Sequence, residues 1–286
     1  QTHLILKAVL FEQTRQLFLF ICVMKKNIFL KINTLTLLMA VLAFGTTSCT
    51  EDDTNDPIVE EAVNCQLQSI SEISDNEPWN ASFTYDANGN VLTRTDDDGT
   101  ATFTYSGNEI KTIEFDGTLI SVTYNGGSLP SRLEATEDGE TYFFVLESSN
   151  NKFTKMETHY LLGSTDILLD VTNITYTADE NVQEVTNEEF DLETNSFTES
   201  YSIKNISTDD KKNPYATSAA IMIYELLDGN EANLGANNVA TATYTFGETT
   251  TSVSNTYEYN ENDYPTKRVE TGFSSPSTYN FTYKCN

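Results

Sequence analysis

A short pattern recurs along this chain: an apolar residue, then Thr, then Tyr, then a turn. It stands as Phe83-Thr84-Tyr85 ahead of Asp86-Ala87-Asn88-Gly89-Asn90, and as Phe103-Thr104-Tyr105 ahead of Ser106-Gly107-Asn108. Val122-Thr123-Tyr124 leads into Asn125-Gly126 in the same way, so these tyrosines fall 20 and 19 residues apart. Looser copies are Ile174-Thr175-Tyr176, Ala242-Thr243-Tyr244, Tyr257-Glu258-Tyr259-Asn260 and Phe281-Thr282-Tyr283. A period of about 20 holds two strands and two turns, one hairpin per repeat. Successive strand residues face opposite ways, so the two aromatics of Phe-Thr-Tyr share one face and Thr takes the other. One face is then aromatic and aliphatic and the other Thr, Ser, Glu and Lys, as in an antiparallel sheet wet on one side. Asp98-Gly99, Asp116-Gly117 and Asp138-Gly139 add turn signals. The expected fold is all-β: an antiparallel up-and-down meander over 65–286, a single domain. Open edges invite pairing with other chains, so the meander should curl into a barrel or near-barrel. Asp263 stands where such a turn favours Gly, which argues against a tight hairpin there.

One stretch departs from period two. Residues 217–228 carry Ala220, Ile223, Leu226 and Leu227 at helical spacing, with Thr217 or Ser218 to cap the start and Gly229 to end it. A single short helix is expected, plugging one end of the curled sheet or covering one side.

The chain ahead of Cys65 reads as processing and anchoring signal. Residues 1–23 look like an extension ahead of a true start at Met24. Lys25, Lys26 and Lys31 then precede an apolar run from Leu35 to Phe44 and small residues up to Cys49. A basic start, a short apolar stretch and small residues before a cut describe a secretory signal peptide over 24–48. The run is too short to span a membrane, which takes about 20 residues. Gly45-Thr46-Thr47-Ser48-Cys49 resembles a lipobox, with Thr46 where Leu is usual, and relaxed lipoboxes of this kind look like those of Bacteroidetes lipoproteins. Acylation is therefore expected at Cys49. The following segment, 49–64, is an acidic tether with six acids, no base and one proline. Glu51, Asp52 and Asp53 resemble the acidic export signal that sends such lipoproteins to the cell surface; a plain solvated linker is the other reading.

Charge narrows the partners. The whole chain has 43 acidic and 16 basic side chains, net −27, which excludes unaided binding to nucleic acid or to an anionic bilayer. With 31 Tyr and Phe residues the chain has ample material for a core and does not read as disordered. The expected link to the membrane is the lipid anchor alone, with a glycan or protein as ligand.

The units of Tyr-Asp-x-x-Gly-Asn type resemble the tyrosine–aspartate repeats of large bacterial wall-associated and toxin shell proteins. More closely, 65–286 resembles a family of uncharacterised Bacteroidetes surface lipoproteins with a porin-like β fold. Cys65-Gln66-Leu67, the turn at 85–90, Asp210-Lys211-Lys212-Asn213-Pro214-Tyr215, and Tyr257-Glu258-Tyr259-Asn260 leading to Tyr264-Pro265-Thr266-Lys267 carry that likeness. The resemblance implies a barrel-like β architecture and supplies no activity; the lipobox and the acidic run lead to the expectation of an outer-membrane location facing the cell exterior.

Catalytic groups are scarce. Beyond the signal peptide the chain has one histidine, His159, in an alternating stretch that reads as surface strand. No Cys-x-x-Cys, phosphate-cradling Gly-rich loop or His-Glu-x-x-His occurs. Thr95-Asp96-Asp97-Asp98-Gly99 lacks the ligand spacing of a calcium loop and reads as a solvated turn. No metal, cofactor or catalytic residue is assigned, and the expectation is a non-enzymatic binding or envelope structural protein. The alternative is a carboxylate-dependent glycoside hydrolase or other polysaccharide-acting enzyme. Trp79 and the tyrosine face read first as core and second as a carbohydrate platform. Cys65 and Cys285 are the cysteines left in the domain, and an exported chain meets an oxidising compartment. A disulfide joining first strand to last is expected.

Overall fold

The computed structural model describes residues 65–74, 77–137, 139–191 and 194–285. Sixteen strands, every neighbouring pair antiparallel and in chain order, close into one barrel. They are β1 (Cys65–Ser74), β2 (Glu77–Tyr85), β3 (Val91–Asp96), β4 (Gly99–Ser106), β5 (Glu109–Phe115), β6 (Thr118–Thr123), β7 (Arg132–Glu137) and β8 (Glu140–Ser149). The second half is β9 (Lys152–Leu162), β10 (Thr165–Tyr176), β11 (Val182–Asp191), β12 (Ser196–Lys212), β13 (Asn237–Phe246), β14 (Thr249–Tyr259), β15 (Pro265–Thr271) and β16 (Ser277–Cys285). The seam is β1 against β16, where Cys65 lies opposite Cys285 and the two form a disulfide with Cα atoms 4.0 Å apart. We call this the clasp end and the opposite one the far end.

Alternation decides which way each side chain points. Along β4, Ala101 and Phe103 are buried while Thr100, Thr102 and Thr104 are exposed. The inward residues of β1 to β13 and β16 join one apolar core with the segment between β12 and β13. Outside, hydroxyls pair across neighbouring strands: Thr84 with Thr93 (2.6 Å), Thr136 with Thr141 (2.9 Å) and Ser207 with Thr241 (2.6 Å). Membrane-spanning barrels show the reverse, an apolar band outside and a polar interior. Among the described residues the large exposed apolar side chains are Ile73, Leu92, Leu119, Phe197 and Phe273. They sit on β1, β3, β6, β12 and the β15–β16 loop and make no band.

The repeated tyrosines explain the period. Tyr85, at the end of β2, donates its hydroxyl hydrogen bond to the Leu67 carbonyl near the start of β1 (2.6 Å). Tyr105 does the same to Val91 (2.7 Å), Tyr176 to Phe153 (2.8 Å), Tyr257 to Val239 (2.8 Å) and Tyr283 to Pro265 (2.8 Å). The Tyr124 hydroxyl instead accepts from the Ile110 N–H (2.9 Å). Each tyrosine thus ties off one hairpin at the clasp end, with its ring in the core. The aromatic face is core, not an exposed platform. Tyr244 breaks the series: it lies on an odd strand, towards the far end, and the copy at 242–244 is not equivalent.

The turn after these tyrosines also repeats. Asp86 Oδ1 accepts from the N–H groups of Asn88 and Asn90, while the Gly89 N–H donates to the Asp86 carbonyl. Asn260 Oδ1 holds Asn262 and Tyr264 in the same way, and the Asp263 N–H donates to the Asn260 carbonyl. Asp263 takes a φ of 65° where Gly89 has 86°. The hairpin at 259–265 therefore forms despite lacking glycine, because a short polar side chain tolerates the left-handed region.

The helix, α1 (Ala219–Leu227), starts at Ser218, whose Oγ accepts from the Ile221 N–H, and ends at Asp228 with Gly229 at a φ of 76°. The helix was expected over 217–228, plugging one end of the curled sheet or covering one side. In the structure Ala220, Ile221, Met222, Ile223, Glu225 and Leu226 are all buried, so it is surrounded on most sides. The reason is position: the segment between β12 and β13 turns back into the lumen, which is the plug of the two expected placements and not the cover on one side.

Candidate functional site at the far mouth of the lumen

The inserted segment enters and leaves at the clasp end, where Asn213 closes its base. The Asn213 side-chain amide donates to the carbonyls of Asn233 (2.6 Å) and Gly235 (2.8 Å), and its oxygen accepts from the Tyr215 N–H (3.0 Å). Tyr215 then meets Phe281 of β16 edge to face, with ring centroids 6.2 Å apart. This gives a physical role to the Asn213-Pro214-Tyr215 motif. From there α1, nine residues long, runs through the lumen towards the far end. Near its end Ile223 and Leu227 face Phe103 and Ile113 together with Phe115, the last residue of β5, and Ile120 of β6.

Charged side chains gather at that far mouth, although they sit in inward register. Period two places Arg94 and Asp96 of β3 on the lumen side, and both are buried. Arg94 forms an ion pair with Asp96, stacks over the Tyr224 ring at 3.4 Å and lies 5.6 Å from the Trp79 ring. The Tyr224 hydroxyl donates to Asp96 Oδ2 (3.3 Å), while Asp96 Oδ1 accepts from the Asp98 and Gly99 N–H groups. The aspartate run at 96–98 is thus a turn whose first carboxylate points into the protein, not a wholly solvated one.

The helix adds Glu225 and Asp228, one turn apart. Burial pushes the Glu225 carboxyl up to about 7, opposed by the hydrogen bond from Asn233 Nδ2 (2.9 Å) and by Arg94 and Arg268. Burial, then the nearby Glu225, raise Asp228 to about 7, with Arg94 acting the other way and Asp96 reinforcing. Deeper in the lumen Arg268 is buried with its guanidinium 3.7 Å from the Tyr279 ring. Glu231 accepts from the Tyr201 hydroxyl (2.5 Å).

The sequence matches no protein-family model and no curated protein. Among solved structures the fold is similar to a porin-like protein from Bacteroides vulgatus ATCC 8482, with a TM-score of 0.54 and 14% identity over 77% of this chain and 99% of the other. It is also similar to a porin-like protein from Bacteroides uniformis ATCC 8492, with a TM-score of 0.50 and 13% identity over 76% and 98%. At these identities the likeness is one of fold. It agrees with the barrel expected from the sequence.

Of the residues singled out in the sequence, Cys49, Glu51, Asp52 and Asp53 lie outside the described residues, as do the signal peptide and the tether. Cys65 and Cys285 are joined. His159 lies on the outer face of β9, its ring stacked on Phe143 at 4.5 Å and its nitrogens facing Asp166 (2.8 Å) and Glu157 (3.4 Å). Arg132 covers the same Phe143 ring at 3.6 Å. His159 is therefore part of a strand-to-strand network on the wall, far from the lumen charges. Sequence reasoning missed Arg94, Glu225 and Asp228, and read Asp96 as part of a solvated turn where its side chain is buried. The signal for Arg94 was available: it occupies an inward position on a strand whose neighbours there are Phe83 and Ala101.

Proposed function

We propose that this chain is an outer-membrane lipoprotein of non-enzymatic role, whose barrel stands in water and is held to the bilayer by an acyl group on Cys49. The observation that carries this reading is the wall itself, polar outside and filled inside. Such a barrel suits neither lipid contact nor conduction, so attachment is left to the segment ahead of Cys65. The lipobox, the basic and apolar signal segment and the fold shared with the Bacteroides proteins support the same reading. The acidic run after Cys49 supports display on the cell exterior.

Mass spectrometry of membrane-extracted protein should find a lipid-modified N-terminus at Cys49. A Cys49→Ala variant should move to the aqueous phase on detergent partition; retention with membranes would overturn the anchor. Replacing Glu51, Asp52 and Asp53 by Ala should keep lipidation and remove the domain from attack by external protease on intact cells. A glycosidase needs two carboxyls facing each other across a cleft. Glu225 and Asp228 project instead from one helix, which favours a binding role. Turnover of a chromogenic glycoside that a single Asp or Glu substitution abolishes would reverse that preference.

A further inference from the structure

Asn-Gly occurs twice in this chain, as Asn88-Gly89 and Asn125-Gly126, and both asparagines are exposed at the clasp end. The pair is chemically weak. A backbone nitrogen that follows Asn can attack the side-chain amide carbon, and glycine, having no Cβ, leaves that approach open. The fold treats the two copies differently. Between β2 and β3 the Gly89 N–H donates to the Asp86 carbonyl (3.1 Å), and Asp86 Oδ1 accepts from the N–H groups of Asn88 (2.8 Å) and Asn90 (2.9 Å). The Gly89 nitrogen is thus held on an acceptor, and the turn is fixed on both sides of it. Between β6 and β7 the anchors lie outside the pair. The Ser131 N–H donates to the Thr123 carbonyl (2.8 Å), Leu129 is buried, and Ser128 Oγ donates to Asn151 Oδ1 (2.6 Å). Asn125, Gly126 and Gly127 are exposed, and among the described residues the Gly126 N–H meets no acceptor. A Cβ placed on Gly126 would touch nothing within 4 Å, so a ring closing there has room.

We propose that Asn125 is a site of spontaneous deamidation and that Asn88 is protected from it. The Gly126 nitrogen gives its proton to hydroxide and bonds to Asn125 Cγ. The side-chain amide nitrogen takes a proton from water and leaves as ammonia, which closes a succinimide. Water then opens the ring at either carbonyl, giving an aspartyl residue or an isoaspartyl one whose chain runs through the side-chain carbon. Either product adds a negative charge to the rim at the clasp end, and the isoaspartyl form lengthens the loop by a methylene that its exposed stretch can take up.

The test is peptide mapping by mass spectrometry of the full chain, aged folded in non-ionic detergent at mildly alkaline pH. The same chain, reduced and unfolded in guanidinium chloride, is aged beside it. In the fold Asn125 should convert at least about tenfold faster than Asn88, because Gly89 must first leave its hydrogen bonds. Unfolding releases both pairs and should close that gap. The Asn125 rate should rise about tenfold per pH unit, since the attack needs a deprotonated nitrogen. Asp86→Ala, which removes the side-chain acceptor of the β2–β3 turn, should speed Asn88 and leave Asn125 unchanged. Equal rates at the two sites in the fold, a gap that survives unfolding, or an Asn125 that stays intact while the unfolded chain converts would each overturn the proposal. Should Asp86→Ala fail to fold, the comparison of folded with unfolded wild type still decides it.

Discussion

Gly89, Glu180 and Asp263 occupy the same position in three copies of one turn, with φ of 86°, 61° and 65°. Only glycine takes such a φ without a clash of Cβ against the following carbonyl, which costs an L-residue about 1–2 kcal/mol. Glu180→Gly should therefore stabilise the protein by roughly 0.5–1 kcal/mol, the gain being partly offset by glycine's greater freedom when unfolded. Its contact with Lys152 is loose (3.8 Å) and the Glu180 carboxylate is largely exposed, so its loss subtracts little. A higher urea midpoint for the variant checks this. Gly272 works in the opposite sense. A Cβ there would lie 2.0 Å from the Ser252 carbonyl oxygen, at a φ of 120°, so the loop after β15 crosses β14 only because the side chain is absent. Gly272→Ala should cost several kcal/mol, on the order of the larger single-substitution effects, and loosen Phe273 from Tyr244, which near-ultraviolet dichroism would register. The tyrosine ties are equally local. Tyr105→Phe leaves the Val91 carbonyl without that donor inside the core and should destabilise by about 1–2 kcal/mol, read as a lower midpoint with unchanged slope.

At the scale of elements, strands and insert were legible to different degrees. A strand advertises itself through period two, and Phe-Thr-Tyr repeated with a polar turn was enough to foresee the meander and its inward face. The helix was legible as a helix from Ala220, Ile223, Leu226 and Leu227, and a plug was one of its two expected places. Glu225 and Asp228 were not singled out, since helical spacing does not say whether a second wall will cover the polar positions. That covering has a measurable result. Unfolded, the two carboxyls titrate near 4.5 and 3.8, whereas in the fold both stay protonated up to about 7. The folded state therefore holds protons that the unfolded chain has released, and stability declines as pH rises from about 4 through 7, then levels. The loss is up to about 3 kcal/mol for Glu225, the more deeply buried group. The urea midpoint should fall between pH 5 and pH 8, and Glu225→Gln should make that fall smaller.

At the scale of the whole molecule the clasp dominates. The disulfide encloses a loop of 220 residues, which in the chain-entropy view stabilises by about 5 kcal/mol, an upper figure because denatured chains keep some structure. Reduction should lower the thermal midpoint while leaving far-ultraviolet dichroism unchanged at low temperature, since β1 and β16 remain hydrogen-bonded along nine partner pairs. A barrel or near-barrel was foreseen from the cysteines and the cost of open edges; that the helix plugs the lumen was one of two expected placements, because helical spacing does not say which wall covers it. The clasp also has a mechanical side. Cys65 is the first residue of β1, so any tension arriving along the preceding chain enters the barrel there. Without the bond, β1 would slide out of register alone, shearing against both neighbours. With it, the load divides at once between β1 and β16, two strands that lie side by side and end at the same rim. A pull from the N-terminal side would have to draw out two adjacent staves together, which makes the seam, ordinarily the weakest line of a closed cylinder, the part best able to bear it.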